Sequence, residues 1–181
     1  MGAKLDFTKI REHLERVPAG FADRVAQVGW FPSAKYEDGT PVAYVATVQE
    51  YGAPEVSIPP RPFMRPTVEQ SKAAWMLLMR QGVLAVAEDR VTADEVLEGV
   101  GLQTAGDIRK AIASVTSPAL SPTTLMLRKW RREGRKITGK TVGEAAAAVA
   151  AGESVAGVNA DPLRDTGLMI ATLTNAVGDA E

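Results

Sequence analysis

The chain has no cysteine, which excludes disulfides and thiolate-bound metals and suits a reducing cytoplasm. Its one histidine, His13, lies in a charged N-terminal segment, where a solvated side chain is the simplest reading. A catalytic triad through His13 lacks support, because nothing places a serine and a carboxylate around it. HExxH, Walker A, GxGxxG and EF-hand patterns are all missing. The acidic residues are dispersed rather than paired for a metal or an acid–base couple. These absences predict a protein that is not an enzyme and uses no cofactor. The net charge of −1 gives no overall basic field for nucleic acid. No apolar run approaches the roughly 20 residues of a membrane span. The opening MGAKLDFTKIREHLERV is amphipathic and charged, unlike a signal peptide. The expectation is a product made in the cytoplasm, with no membrane partner.

The residues that are present suit a globular chain. At 181 residues, 45% of them hydrophobic, the expectation is one domain with a real core. A short helix is expected over 5–17, with Leu5, Ile10, Leu14 and Val17 facing the core and Pro18-Ala19-Gly20 ending it. FADRVAQVGWF reads as a half-buried strand with Ala26, Val28 and Trp30 on one side. TPVAYVATVQEYG is punctuated as a helix, with Thr40 to cap, Pro41 at the first position and Gly52 beyond the end. A long helix is predicted from about Pro66 to Arg90. Its middle, AAWMLLM, is apolar around the whole circumference. Such a helix is either central in the core or covered on one side by a neighbouring subunit. Thr92 and Glu95 have capping-box spacing before another helix. Ser121-Pro122 starts a further helix, which Gly134 can end. Thr141 and Glu144 repeat the capping-box spacing before AAAAVAAG, a small-residue helix too weakly apolar to nucleate a core. LMIATLTNAV (168–177) reads as a last strand. The predicted class is α+β, a small antiparallel sheet packed against long helices, with a proline-rich extended arm.

The charge is polarised. Between Ser121 and Lys140 lie Arg128, Lys129, Arg131, Arg132, Arg135, Lys136 and Lys140 against Glu133 alone. Residues 141–181 then hold six acidic residues against Arg164. A basic helix followed by an acidic tail can be a solvated face, a patch that meets the acidic part of a neighbour, or a sequence-blind contact to DNA. An Ala/Gly-rich insert completes this region, which covers about 121–160.

The segment QEYGAPEVSIPPRPFMRP poses a different question. Its prolines keep it extended and lower the cost of ordering it. Tyr51, Phe63 and Met64 supply apolar anchors, and Arg61 and Arg65 can fork onto carboxylates or carbonyls. Either the arm folds back, with Phe63 plugging the gap between the sheet and the long helix, or part of it reaches the next subunit through Arg61 and Tyr51.

VGW…DGTPVAYVATVQEYGAP…IPPRPFMRP resembles the tailed-bacteriophage virion morphogenesis proteins of the tail-completion, or neck, group. In that family a helix ending in Ala…Glu-Phe/Tyr-Gly precedes an Ile-Pro-x-Arg-Pro-Phe stretch and a long helix. The matching residues are Ala46, Glu50, Tyr51 and Gly52, then Ile58, Pro59, Arg61, Pro62 and Phe63. PALSPTTLMLRK is similar to the family's Leu-Ser-x-x-Thr helix start through Leu120, Ser121 and Thr124. DPLRDTGLM is similar to its Pro-Leu-x-Asp-Thr-Gly-x-Met block through Pro162, Leu163, Asp165, Thr166, Gly167 and Met169. The blocks keep the family's order across Val28 to Val177. TVGEAAAAVAAGESVAGVNA is longer than the family pattern.

The resemblance implies a structural virion protein made in the bacterial host cytoplasm and located in the neck or tail. It implies a homo-oligomeric ring, six-fold by analogy with a tail tube, that joins tail to head around the DNA path. Its neighbours would be head-closure or connector proteins and tail-terminator or tail-tube proteins, with transient nonspecific contact to genomic DNA. Candidate interface residues are Tyr51, Arg61, Phe63, Met64 and Arg65 of the arm, with Trp75, Met76 and Met79 of the apolar helix. A tail terminator or head-closure ring is the alternative. A small sequence-nonspecific DNA-binding or regulatory protein using Arg128–Lys140 is the other.

Overall fold

Capping chemistry starts one of the two longest helices. Thr92 and Glu95 exchange the expected bonds: the Thr92 amide and hydroxyl donate to the Glu95 carboxylate at 2.7 and 2.9 Å, and the Glu95 amide donates back at 3.3 Å. In the computed structural model, which describes residues 7–180, α1 spans Phe7–Phe21, β1 Arg24–Gly29, α2 Val42–Tyr51, α3 Met64–Ala87 and α4 Ala93–Ser114. Then come α5 (Pro122–Arg132), α6 (Gly139–Ala150), the one-turn α7 (Leu168–Ala171) and β2 (Thr174–Asp179). The fold is α+β, as predicted, with a two-stranded antiparallel sheet against helices. The elements gather into two compact units.

The first unit holds α1, β1, α3, most of α4 and β2. Its sheet pairs the first strand with the last, from Arg24 opposite Asp179 to Gly29 opposite Thr174. Arg24 ties this sheet to α4, donating to Asp179 at 2.7 Å and to both oxygens of Asp94 at 2.8 and 2.6 Å. Two glycines set the close approaches. A Cβ on Gly101 would stand 2.9 Å from that of Asn175, so α4 lies directly on β2. A Cβ on Gly82 of α3 would stand 2.2 Å from a methyl of Val96 on α4. Further along, the Trp75 indole donates to Asp107 at 3.0 Å, and Gln103 reaches the same carboxylate at 3.1 Å. The bond from Trp75 is the main reason the Asp107 carboxyl is held below the usual carboxylate range.

The second unit holds α2, the proline arm, α5, α6 and α7. Ser121 caps α5, its hydroxyl accepting from the Thr124 amide at 3.1 Å. Met126 and Trp130 of α5 pack on Ala145 of α6, with Leu127, Ile137, Ala148, Val149 and Val155 around them. Val42 and Ala46 of α2, Leu163, and Met169 of α7 are also buried in this unit.

Several sequence expectations change. The first helix continues past Pro18 to Phe21, and the Ala22 amide still finds the Pro18 carbonyl at 3.0 Å. Leu5 lies outside the described residues, as do the side chains of Ile10, His13 and Leu14. α6 is capped by Thr138 with Thr141, three residues ahead of the expected box. It does serve a core, because small Ala145 lets α6 approach Met126 and Trp130. The expected last strand is split: Leu168–Ala171 form a helical turn after Gly167 in the left-handed region, and pairing starts at Thr174. α3 is not central in the core of this chain, since Met76 is 72% and Leu77 54% exposed.

Two tests follow from the first unit. Gly82→Leu lowers unfolding free energy by about 1–3 kcal/mol through overpacking, and Val96→Ala in the same chain returns part of the loss, as read by chemical denaturation. Asp107→Asn removes a pH-dependent component. A depressed carboxyl contributes stability that is present above its unfolded pKa and lost as pH falls through the folded one. The melting-temperature gap between parent and Asp107→Asn is therefore full at neutral pH and closes in acid, below the ordinary carboxylate range.

Candidate functional site

The arm is built into the second unit by hydrogen bonds at both its ends. At its start, Gly52 takes φ +78°, and a Cβ there would stand 2.9 Å from the Ile58 carbonyl and the Pro60 nitrogen, so only glycine fits the turn. Ala53 and Ile58 pair back to back at 2.9 and 3.0 Å around a 3-10 turn at Pro54–Val56. The Glu50 carboxylate accepts from the Phe63 amide at 2.7 Å, and the Arg61 amide donates to the Gln49 carbonyl, also at 2.7 Å.

Arg61 is 4% exposed. Its guanidinium donates to the carbonyls of Pro118 at 2.7 Å and Ala119 at 3.2 Å and to the Gln49 side chain at 3.1 Å. Burial pulls its pKa down from the ordinary value, but arginine keeps its proton in proteins. This corrects the expectation that Arg61 faces a neighbour. Phe63 is fully buried and its amide is held by Glu50 in the second unit, whereas the sheet and the long helix it was expected to bridge belong to the first. Pro62 and Arg65 are exposed and Met64 is half-buried.

Of the basic segment, Arg128 is buried and Lys129 half-buried, while Arg131, Arg132, Arg135, Lys136 and Lys140 are exposed. Arg128 is 6% exposed and donates to the carbonyls of Asn159 at 2.8 Å, Asp161 at 2.9 Å and Pro162 at 3.1 Å. Its Nε lies 3.4 Å from Asp165, whose other oxygen accepts from Arg131 at 2.6 Å. Desolvation lowers the Arg128 pKa against the pull of Asp165. Tyr36 shifts upward, first through burial and then through the nearby Asp165 charge. Arg135 bonds Glu144 and stacks 3.9 Å above the Trp130 ring. Lys129 reaches the Ser154 carbonyl at 3.4 Å, and Lys140 lies 4.0 Å from Glu144. Among the described residues only Arg132 and Lys136 of this run extend to solvent without such a partner. Within one copy, then, Asp165 and Glu144 of the acidic stretch pair with bases of the run, most of which stay exposed.

The remaining motif residues are local stops and caps. Leu163 is buried, the Thr166 hydroxyl accepts from the Leu168 amide at 3.2 Å, and Gly167 takes φ +75°. Of the apolar-helix candidates, Trp75 and Met79 are half-buried and Met76 projects outward. Sequence reading missed Gln49, which is unremarkable until Arg61 is placed on it. It also missed Tyr44, which i, i+7 spacing from Tyr51 could have flagged. Among the described residues no group of three or more acidic or histidine side chains is arranged to hold a metal.

Compared with family models, with curated proteins and with solved structures, the chain finds no match in any of the three.

Arg61→Ala leaves the Pro118 and Ala119 carbonyls without donors and lowers stability by about 2–4 kcal/mol. Arg61→Lys recovers only part, because an ammonium cannot span acceptors in the guanidinium plane. Arg132→Ala and Lys136→Ala stay within about 0.5 kcal/mol of the parent. Thermal and denaturant melts read all four.

Proposed function

We propose that the chain is a structural virion protein of a tailed phage, a tail-completion or neck component that assembles as a ring joining tail to head around the DNA path. The reading rests on the three sequence blocks that resemble the tail-completion group. The observation that carries it is that the matching residues from Ala46 to Phe63, Leu120 to Thr124 and Pro162 to Met169 belong to one compact unit and depend on one another. The arm's Arg61 holds the carbonyls just ahead of the Ser121 cap. The helix that Ser121 starts sends Arg128 into the carbonyls of the Pro-Leu block, where Asp165 completes its shell. Blocks whose side chains complete one another are expected of a single inherited module rather than of chance matches. Exposed apolar surface on α2 and α3 suits a subunit that assembles.

A ring that caps or terminates the tail is the nearest alternative. The DNA-binding alternative has less support, since five of the seven bases in the run are engaged within the chain.

The test is disruption of the gene in a phage that encodes it, with the lysate imaged by negative-stain electron microscopy. DNA-filled heads beside separate tails are the expected result. Tails of abnormal length would move the assignment to a terminator, and normal infectious particles would overturn it.

A further inference from the structure

Two helices expose apolar stripes of the same length and opposite charge. On α2, Tyr44 and Tyr51 are 64% and 62% exposed and stand seven residues apart, with half-buried Val48 between them and Val56 exposed just beyond. On α3, Leu77 and Leu84 are each 54% exposed, also seven residues apart, and Ala73, Ala74 and Met76 widen the stripe. Seven helical residues rise about 10.5 Å, so the two large side chains on one helix are spaced to meet the two on the other. The α2 stripe ends at Glu55, and the α3 stripe is flanked by Arg80. Both are exposed and have no hydrogen-bond or ion-pair partner among the described residues.

We infer that the α2 stripe of one copy docks on the α3 stripe of a second copy, with Tyr44 and Tyr51 against Leu77 and Leu84 and Glu55 toward Arg80. Charge selects this pairing over the symmetric ones. α3 against α3 would bring two Arg80 side chains to one interface, and the one carboxylate of α3, Glu69, is already bonded to Lys72 at 2.9 Å. α2 against α2 would offer Glu55 no cation, since α2 carries none. Tyrosine suits the role, burying a large rigid ring while its hydroxyl stays at a wet rim. The contact joins unlike faces, so each copy keeps one face of each kind open. Association therefore propagates, as a ring where the rotation closes and as a filament where it does not.

The inference draws on the same exposed surface as the phage reading and would supply the contact of its ring, but the two fail separately. Particle morphology tests that reading, and association of the purified chain tests this one. Tyr44→Glu and Leu77→Glu change side chains that the fold leaves outside, and circular dichroism checks that each variant is folded. In sedimentation velocity each variant alone self-associates at least about tenfold more weakly than the parent. Mixed one to one, the two restore a single good interface and give a two-copy species that grows no further. A charge swap, Glu55→Arg with Arg80→Glu in one chain, associates more strongly than either single change.

A benzophenone amino acid at position 44, in a mixture of isotopically light and heavy chains, is expected to crosslink to 73–84 of a different copy. Any of three results would overturn the inference: a parent chain monomeric to about 1 mM, a single-face variant that associates like the parent, or crosslinks to α2 or only within one copy.

Discussion

Buried backbone carbonyls in segments without regular structure are the constraint on which the second unit depends. The stretch leading into α5 and the stretch between α6 and α7 form neither helix nor strand, so their carbonyls need donors from elsewhere. Arg61 and Arg128 supply them, each placing several N–H groups of one plane onto two or three carbonyls. The cost is desolvation of two cations, visible as a lowered pKa in both. Hydrogen bonding repays it. Among the described residues no buried side-chain nitrogen or oxygen is left without a partner. α5 is consequently packed on two sides, polar at Arg128 and apolar at Met126 and Trp130.

The same logic explains why the arm is stiff. An extended segment has few hydrogen bonds of its own, and its prolines remove donors it could not have satisfied. What remains is fixed by Gly52 at one end and by the Glu50 bond to the Phe63 amide at the other. With Val42, Ala46 and Glu50 turned into the unit, α2 must present Tyr44 and Tyr51 outward. In the first unit glycine plays the complementary part. Gly82 and Gly101 remove side chains where α4 meets α3 and β2, and that closeness lets Trp75 reach Asp107 across the same pair of helices.

Local chemistry was legible in the sequence and distant chemistry was not. The caps at Thr92 and Ser121, the positive φ at Gly52 and the extents of α3 and α4 all follow from residues within a few positions of one another. The α6 cap went to Thr138 because two threonines can exchange bonds as well as Thr141 and Glu144 could. Glu144 instead pairs with Arg135 and Lys140. The fate of Arg61 was illegible for a stronger reason: its acceptors lie 57 and 58 residues away, on carbonyls that carry no side-chain signature. The seven-residue apolar run in α3 misled in the other direction. Composition gave a helix apolar all round, but the face carrying Ala73, Leu77 and Leu84 is left outside and only the opposite face meets α4.

The internal pairing of charge changes what the surface can recognise. A run of seven bases followed by an acidic tail suggests a strong local field, yet Asp165 and Glu144 stand among the arginines. At distances beyond roughly 8–10 Å in physiological salt such paired charges largely cancel. Asp165 and Glu144, with Glu133, offset three of the seven positive charges, so the region keeps a reduced positive field on exposed Arg131, Arg132, Arg135, Lys136 and Lys140. The apolar stripes on α2 and α3 carry one uncompensated charge each, so contact there draws mainly on buried area, with Glu55 and Arg80 fixing orientation. Such an interface would tolerate salt and discriminate by shape.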